Sequence, residues 1–327
     1  MDGTVLIAAG SALASGFGAE TIKTVVTTPA AGRWWFLGLC LAGLGLAGWG
    51  FARRSASRRR LLGIVVTAAD PTREAGRGRQ LNEQAEKYVR ESCSAAFKVS
   101  AQLSADPQVS ARTVDEVAAK TMLAMTMAES LSPAAAAVAL VPTMPLHAAF
   151  RLGARIGHTH ARRVTVHALR QGDGAPAYFA AVVLRAADTA RAAPLTVEPL
   201  ELLPGGEESR VALAVDLQGR GPAFFEPVRA ACQRSGVGLL LPVRSRTQVL
   251  AQDEETYAGA VQQICQAWRD APFPPAARMG RRAVFLSGPV AIAVALGARL
   301  AANEPTRWTP YGYDGSTGQY RPWGEQG

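Results

Sequence analysis

The chain has 327 residues, 48% of them hydrophobic and 19% charged, with a formal net charge of +9. That length holds one large domain or two ordinary ones. The basic balance favours anionic partners such as lipid, nucleotide or nucleic acid, although charges flanking a membrane segment would produce it too. The four cysteines, Cys40, Cys93, Cys232 and Cys265, are scattered without metal or CxxC spacing, as free thiols in a reducing compartment would be.

Residues 3–18 are uncharged and rich in small residues, and only Asp2 among charged residues precedes them, so the basic n-region of a signal peptide is missing. Two readings stay open: a first membrane span with a short external loop over Glu20–Arg33, or an external or interfacial helix. Residues 34–51 carry no charge and are marked at both ends by Trp34, Trp35 and Trp49, as an aromatic belt marks a spanning helix. The next stretch, RRSASRRR (53–60), holds five arginines. The positive-inside rule keeps such a run on the cytoplasmic side, which predicts a membrane protein whose C-terminal domain is cytoplasmic.

From residue 61 the pattern alternates between strand and helix. Strand 61–69 ends at Asp70-Pro71, and a basic loop covers 71–79. A helix over 80–95 and a strand over 97–104 follow, then a helix capped at Thr113 or Asp115 and running to Ser130. Next come strand Ala137–Val141, a turn at Pro142–Met144, helix Pro145–His158, and strands 163–170 and 176–185 joined at Gly172-Asp173-Gly174. A linker is expected over 191–208. The second part reads as strand Arg210–Leu217, helix Ala223–Ser235, strand Val237–Val243, helix Glu255–Asp270, strand Arg282–Leu286, helix Pro289–Asn303 and strand Trp308–Tyr313.

Two segments repeat. TMPLHAAFRLGARI (143–156) aligns with SGPVAIAVALGARL (287–300), which matches Pro145 with Pro289, Ala149 with Ala293, and Leu152-Gly153-Ala154-Arg155 with Leu296-Gly297-Ala298-Arg299. The first strands correspond as well, IVVTAAD (64–70) with VALAVDL (211–217), each ending near an acid. The fold class is therefore α/β, with two pseudo-repeated Rossmann-like halves built on mainly parallel sheets, at 61–190 and 209–327, behind an N-terminal transmembrane region within 1–52.

Catalytic and metal patterns are weak. There is no GxSxG elbow, HExxH or Walker A loop, and the glycines of Gly76-Arg77-Gly78-Arg79 are wrongly spaced for a dinucleotide fingerprint. His158-Thr159-His160 has no accompanying ligand pattern and reads as a helix cap. Asp70 and Asp216 stand at strand ends without an adjacent base or nucleophile. Binding remains. Ligands of open α/β sheets collect beyond the carboxyl ends of the strands. That edge carries Thr67, Asp70, Thr72, Arg73, Arg77 and Arg79, then Thr143 and Met144. In the second half it carries Arg244, Ser245, Arg246 and Thr247, then Ser287, Gly288 and Pro289. Arginines, small hydroxyls and two helix starts suit phosphates. Two related sets around one cleft, with the turn at Ser287-Gly288-Pro289 facing Thr143-Met144-Pro145, suit a ligand with repeated phosphates.

FLSGPVAIAVALGARL (285–300) followed by WTPYGYDGSTGQYRP (308–322) resembles the C-terminal signature of SAVED domains, which are similar to two fused CARF-like units. The resemblance implies a sensor of the CBASS anti-phage type. Its activating ligand would be a cyclic tri- or tetranucleotide made by a cGAS/DncV-like nucleotidyltransferase, with no other cofactor and no DNA or RNA polymer as partner. With a membrane segment as its N-terminal module, such a receptor is expected to assemble into a homo-oligomer on binding and to damage the lipid bilayer, without being an enzyme. A membrane-tethered nucleotide-processing enzyme and a protein-binding scaffold are the rival readings.

Overall fold

The computed structural model describes residues 41–49, 61–70, 75–131, 137–170, 177–185 and 195–324. The chain divides into two units, Met1–Leu61 and Leu62–Gly327. In the first, residues 41–49 form a helix, α1, with Leu41, Leu44 and Trp49 exposed. The rest of the expected spans at 3–18 and 34–51, and the arginine-rich stretch 53–60, lie outside the described residues. Among the described residues no helix is long and apolar enough to cross a membrane.

The second unit opens with β1 (Leu61–Ala69, all but its first residue in this unit), α2 (Ala75–Ser92), β2 (Ala95–Gln102), α3 (Pro107–Leu131), β3 (Ala137–Thr143), α4 (Leu146–Ile156), β4 (Arg163–Arg170) and β5 (Ala177–Val183). Two short strands follow, β6 (Leu195–Val197) and β7 (Glu201–Leu202). Then come β8 (Glu207–Asp216), α5 (Pro222–Arg234), β9 (Val237–Ser245), α6 (Glu254–Asp270), α7 (Pro275–Met279), β10 (Arg282–Ser287), α8 (Val290–Leu296) with a π-helical turn over Gly297–Ala301, β11 (Trp308–Asp314) and β12 (Gln319–Pro322).

Both sheets repeat one plan. The first runs β2-β1-β3-β4-β5, and the second contains β9-β8-β10-β11-β12 in the corresponding order. In each, the first two strands pair in parallel and the last pairs antiparallel to its neighbour. The duplication read from one motif thus extends to whole sheets. The segment expected to be a linker is partly sheet: β6 and β7 pair antiparallel to β9 and cover its free side.

Several boundaries differ from the sequence pattern. Helix α2 begins at Ala75, within the stretch that its glycines marked as a loop. Helix α3 begins at Pro107, where Asp106 accepts the N–H of Gln108 at 2.8 Å, a cap upstream of Thr113 and Asp115. The expected cap residues lie inside the helix and have other partners: the Thr113 hydroxyl donates to the Val109 carbonyl, and Asp115 receives Arg151 and Arg155 of α4. The turn at Gly172-Asp173-Gly174 lies outside the described residues.

Alternation along the strands separates two kinds of core. Leu62, Ile64, Val66 and Ala68 of β1, and Leu213, Val215 and Leu217 of the second sheet, turn into the main core shared with α3, α4, α6 and α8. Their neighbours turn outward: Val65 and Val141 pack under α2, and Ala212, Ala214 and Phe285 pack under α5. Each fully buried Leu, Ile or Phe contributes about 1.5–3 kcal/mol relative to an exposed one.

Helices α4 and α8 lie in the layer between the sheets. Every residue of α8 after Val290 is buried, as a helix apolar on all sides requires. Helix α4 packs on β10 and β11 of the second sheet, and α8 packs on β3, β4 and β5 of the first. Each repeat thus lends its central helix to the other's sheet, and the repeats form one body. Where α4 and α8 meet, a side chain on Gly153 would fall on the Val294 carbonyl, and one on Gly297 would fall on the Phe150 carbonyl.

Candidate functional site

The outward faces of the two sheets carry most of the candidate residues at their carboxyl edges. In the first sheet the Thr67 and Thr143 hydroxyls meet at 2.9 Å, and Thr67 also donates to the Asn82 side chain of α2 at 3.4 Å. Thr67 is buried, as is Met144, which belongs to the main core. Asp70 follows β1 at the same edge, half-buried. Thr72 and Arg73 lie outside the described residues.

In the second sheet Asp216 and Ser287 are register partners, and Arg244 faces Asp216 from β9. Asp216 is fully buried, with 0% exposure. Its carboxylate accepts the Gln218 N–H at 3.1 Å and the Gly221 N–H at 2.8 Å, which fixes the turn into α5. Gly221 is the residue that caps α5, so the aspartate sits where the positive end of that helix favours an anion. The Ser287 hydroxyl donates to the Gln218 side chain at 3.0 Å. Gly288 has φ of +154°, and a Cβ there would press on Leu217, so this turn requires glycine. Pro289 then caps α8 in an extended conformation, where a missing N–H costs nothing.

The structure brings Ser287, Gly288, Arg244 and Arg246 to one edge with Asp216, and brings Thr67 to Thr143 at the other. The hydroxyls of Thr143 and Ser287 follow Val141 and Phe285 in the alternation, so they face α2 and the α5 turn rather than the helix layer between the repeats. The Thr67–Thr143 pair occupies the place that Asp216 and Ser287 occupy in the second sheet. The structural counterpart of Asp216 is therefore Thr67 and not Asp70.

Cationic groups gather at the second edge. Arg220, Arg244 and Arg246 are all exposed, and the loop at Gly219 runs against Thr247 and Gln248. Arg244 Nε is 2.8 Å from the Glu198 carboxylate, and Arg246 Nε donates to the Thr196 hydroxyl at 3.1 Å. Thr196, Glu198, Gln218 and Arg220 are neighbours that the sequence pattern did not single out. The acceptors on β6 could not be found in sequence because a three-residue edge strand between prolines carries no period.

The paired histidines and three of the cysteines have structural surroundings. His158 and His160 bond the carbonyls of Ala298 and Gly157 at 2.8 and 3.2 Å, as helix-end groups. Among the described residues no cluster of His, Cys, Asp and Glu could hold a metal ion. Burial pushes the thiols of Cys93 and Cys265 up to about 11 and that of Cys232 up to about 12, so all three stay protonated near neutrality.

No protein-family model matches the chain, and no curated protein matches it. Among solved structures, the chain is similar to the Acinetobacter baumannii Cap4 SAVED/CARF-domain containing receptor with the cyclic trinucleotide 2'3'3'-cAAA, at 14% identity and a TM-score of 0.47, covering 89% of this chain and 55% of the receptor. The same receptor with 3'3'3'-cAAA gives 12% identity, a TM-score of 0.47 and coverage of 89% and 59%. The chain thus spans little more than half the length of those receptors. The Moraxella osloensis Cap4 SAVED/CARF-domain containing receptor gives 10% identity, a TM-score of 0.41 and coverage of 98% and 76%.

Proposed function

We propose that the chain is a membrane-anchored receptor of the SAVED type that binds a cyclic oligonucleotide, assembles on binding and disrupts the inner membrane in defence against phage. The observation that carries the reading is the carboxyl edge of the second sheet, where exposed Arg220, Arg244 and Arg246 gather around the start of α5. Guanidinium groups on a rigid sheet edge, with the buried Asp216 and Ser287 holding the turn, suit phosphodiester oxygens better than neutral ligands. The doubled sheet plan supplies a second edge of related geometry, as a ligand with repeated units would use. The C-terminal sequence signature supports the same reading.

The test uses the full-length chain in detergent, titrated with cyclic di-, tri- and tetranucleotides, with a cyclic trinucleotide of three adenosines first. Binding with the ligand recovered intact, followed by growth in particle size and dye release from liposomes, is the expected result. Consumption of the ligand would make the chain an enzyme instead. Release of dye with no response to any cyclic oligonucleotide would overturn the sensor reading.

A further inference from the structure

Both arginines that β9 places at this edge are already engaged, and by one short segment. Strand β6 pairs Thr196 with Arg244 and Val197 with Val243, and the Glu198 N–H continues to the Pro242 carbonyl at 3.0 Å. On the outward face of that segment, Glu198 meets Arg244 Nε at 2.8 Å and the Thr196 hydroxyl accepts from Arg246 Nε at 3.1 Å. A carboxylate and a hydroxyl thus hold the two guanidiniums in the manner of a bound phosphate.

The segment is anchored at its ends, where Leu195 is buried in the main core and Arg229 donates to both Glu201 oxygens at 2.7 and 2.9 Å, and is weakly held between them. Pro199 cannot donate to β9, and pairing resumes only at Glu201 and Leu202, with the Leu203 N–H donating to the Gly238 carbonyl at 2.8 Å. Behind it a cleft of about 640 Å³, lined by Val197, Pro199, Leu200, Leu241 and residues of α6, leaves the backbone of 197–200 incompletely packed. Leu202 is 72% exposed. Interrupted pairing and the cleft behind it mark 196–199, between those anchors, as the stretch that opens locally at the lowest cost.

We infer that Leu195–Leu202 is an internal competitor for the anion site, with Glu198 as the residue that sets its affinity. This rests on the anionic-ligand reading above and deepens it. A phosphate arriving at Arg244 must displace the Glu198 carboxylate or sit beside it, and both weaken binding, the second by like-charge repulsion. Engagement of Arg244 and Arg246 by ligand removes the two arginine ties of the segment, leaving the Gln263 side chain on the Leu195 carbonyl at 3.4 Å, and the strap loosens as the site fills.

The experiment measures binding of a fluorescent cyclic trinucleotide to the full-length chain, its Glu198→Gln variant and its Arg244→Gln variant. Hydrogen–deuterium exchange over 195–202 is followed with and without ligand. Glu198→Gln keeps the size of the side chain and is expected to tighten binding roughly three- to tenfold, with the gain shrinking as salt rises. Arg244→Gln weakens binding, and the double variant shows no gain from the Glu198 change. Ligand speeds exchange in 195–202 in the unaltered chain. Unchanged or weaker binding by Glu198→Gln, or slower exchange in the strap on binding, overturns the inference while leaving the sensor reading in place. Absence of binding by all three proteins overturns both.

Discussion

Gly153 and Gly297 each sit where a methyl group would land on the other helix's backbone. The Gly153 position abuts the Val294 carbonyl and the Gly297 position abuts the Phe150 carbonyl. The four residues are two aligned pairs of the internal repeat, so α4 and α8 cross about a local two-fold axis. The close approach explains why the repeated motif keeps glycine between leucine and alanine: any side chain would hold the backbones apart. Gly153→Ala and Gly297→Ala are each expected to destabilise the fold by about 3 kcal/mol or more, beyond ordinary overpacking because the obstacle is backbone. Because both changes open one interface, the double variant should cost less than the sum. Denaturant unfolding of the single and double variants measures this, and full additivity would show that the two sites are independent.

That crossing was legible in sequence as a motif, and its meaning was not. The repeat of Leu-Gly-Ala-Arg marked two related halves, and buried runs such as 61–69 marked the central strands, because a strand covered on both faces is apolar throughout. Where the helices go after those strands was hidden, since packing on the partner sheet leaves the same apolar pattern as packing on one's own. Boundaries failed where local signals were ambiguous: Gly76 and Gly78 spoke for a loop, and Thr113 for a cap. The ends of β8 and β10 were found by period, but the ties of Arg244 to Glu198 and Arg246 to Thr196 depend on an edge strand that period does not reveal.

Asp216 separates a structural role from a ligand-binding one. Its two carboxylate oxygens take the N–H groups of Gln218 and Gly221. Asp216→Ala removes both hydrogen bonds from a part-buried turn, at about 0.5–1.5 kcal/mol for each. A thermal melt should fall by several degrees in the absence of any ligand. Asp216→Asn keeps only one good acceptor and should fall between the two. An unchanged melting temperature in Asp216→Ala would show that the carboxylate serves ligand alone.

Asp115 holds the outer flank of α4. Arg151 and Arg155 each place two nitrogens on its carboxylate at 2.7–2.9 Å. Burial raises its pKa, but the two guanidiniums outweigh that and leave it below the usual carboxylate value. A lowered folded pKa means stability that is present above the unfolded value and is lost as pH falls through the folded one. Replacing Asp115 by Asn removes the charge and leaves two arginines facing each other, so it should destabilise the chain at neutral pH. It should also flatten the acid limb of the stability profile below pH 4, in the range of the ordinary aspartate pKa. An Asn variant with an unaltered acid limb would place the acid sensitivity in other carboxylates.

His167 gives the fold a second pH dependence, at higher pH than that of Asp115. It lies under α2, 7% exposed, with its Nδ1 and the Tyr88 hydroxyl sharing a hydrogen bond at 3.0 Å, and Tyr88 stacks on Tyr178. Burial disfavours the imidazolium and lowers its pKa from 6.5 to about 4. The unfolded chain therefore binds the proton more readily than the folded one between those values. Stability contributed by the neutral ring is complete above pH 6.5, declines as pH falls, and is gone below about 4. The full span is on the order of 3 kcal/mol. Unfolding measured at pH 7.5, 6, 5 and 4.5 should show this decline in the unaltered chain and a shallower one in His167→Gln, whose side chain does not titrate. Tyr88→Phe should reduce stability at pH 7.5 by about 1 kcal/mol, the value of one hydrogen bond, and should keep the slope, since burial and not the tyrosine sets the His167 pKa. A slope in His167→Gln equal to that of the unaltered chain would assign the effect to another group.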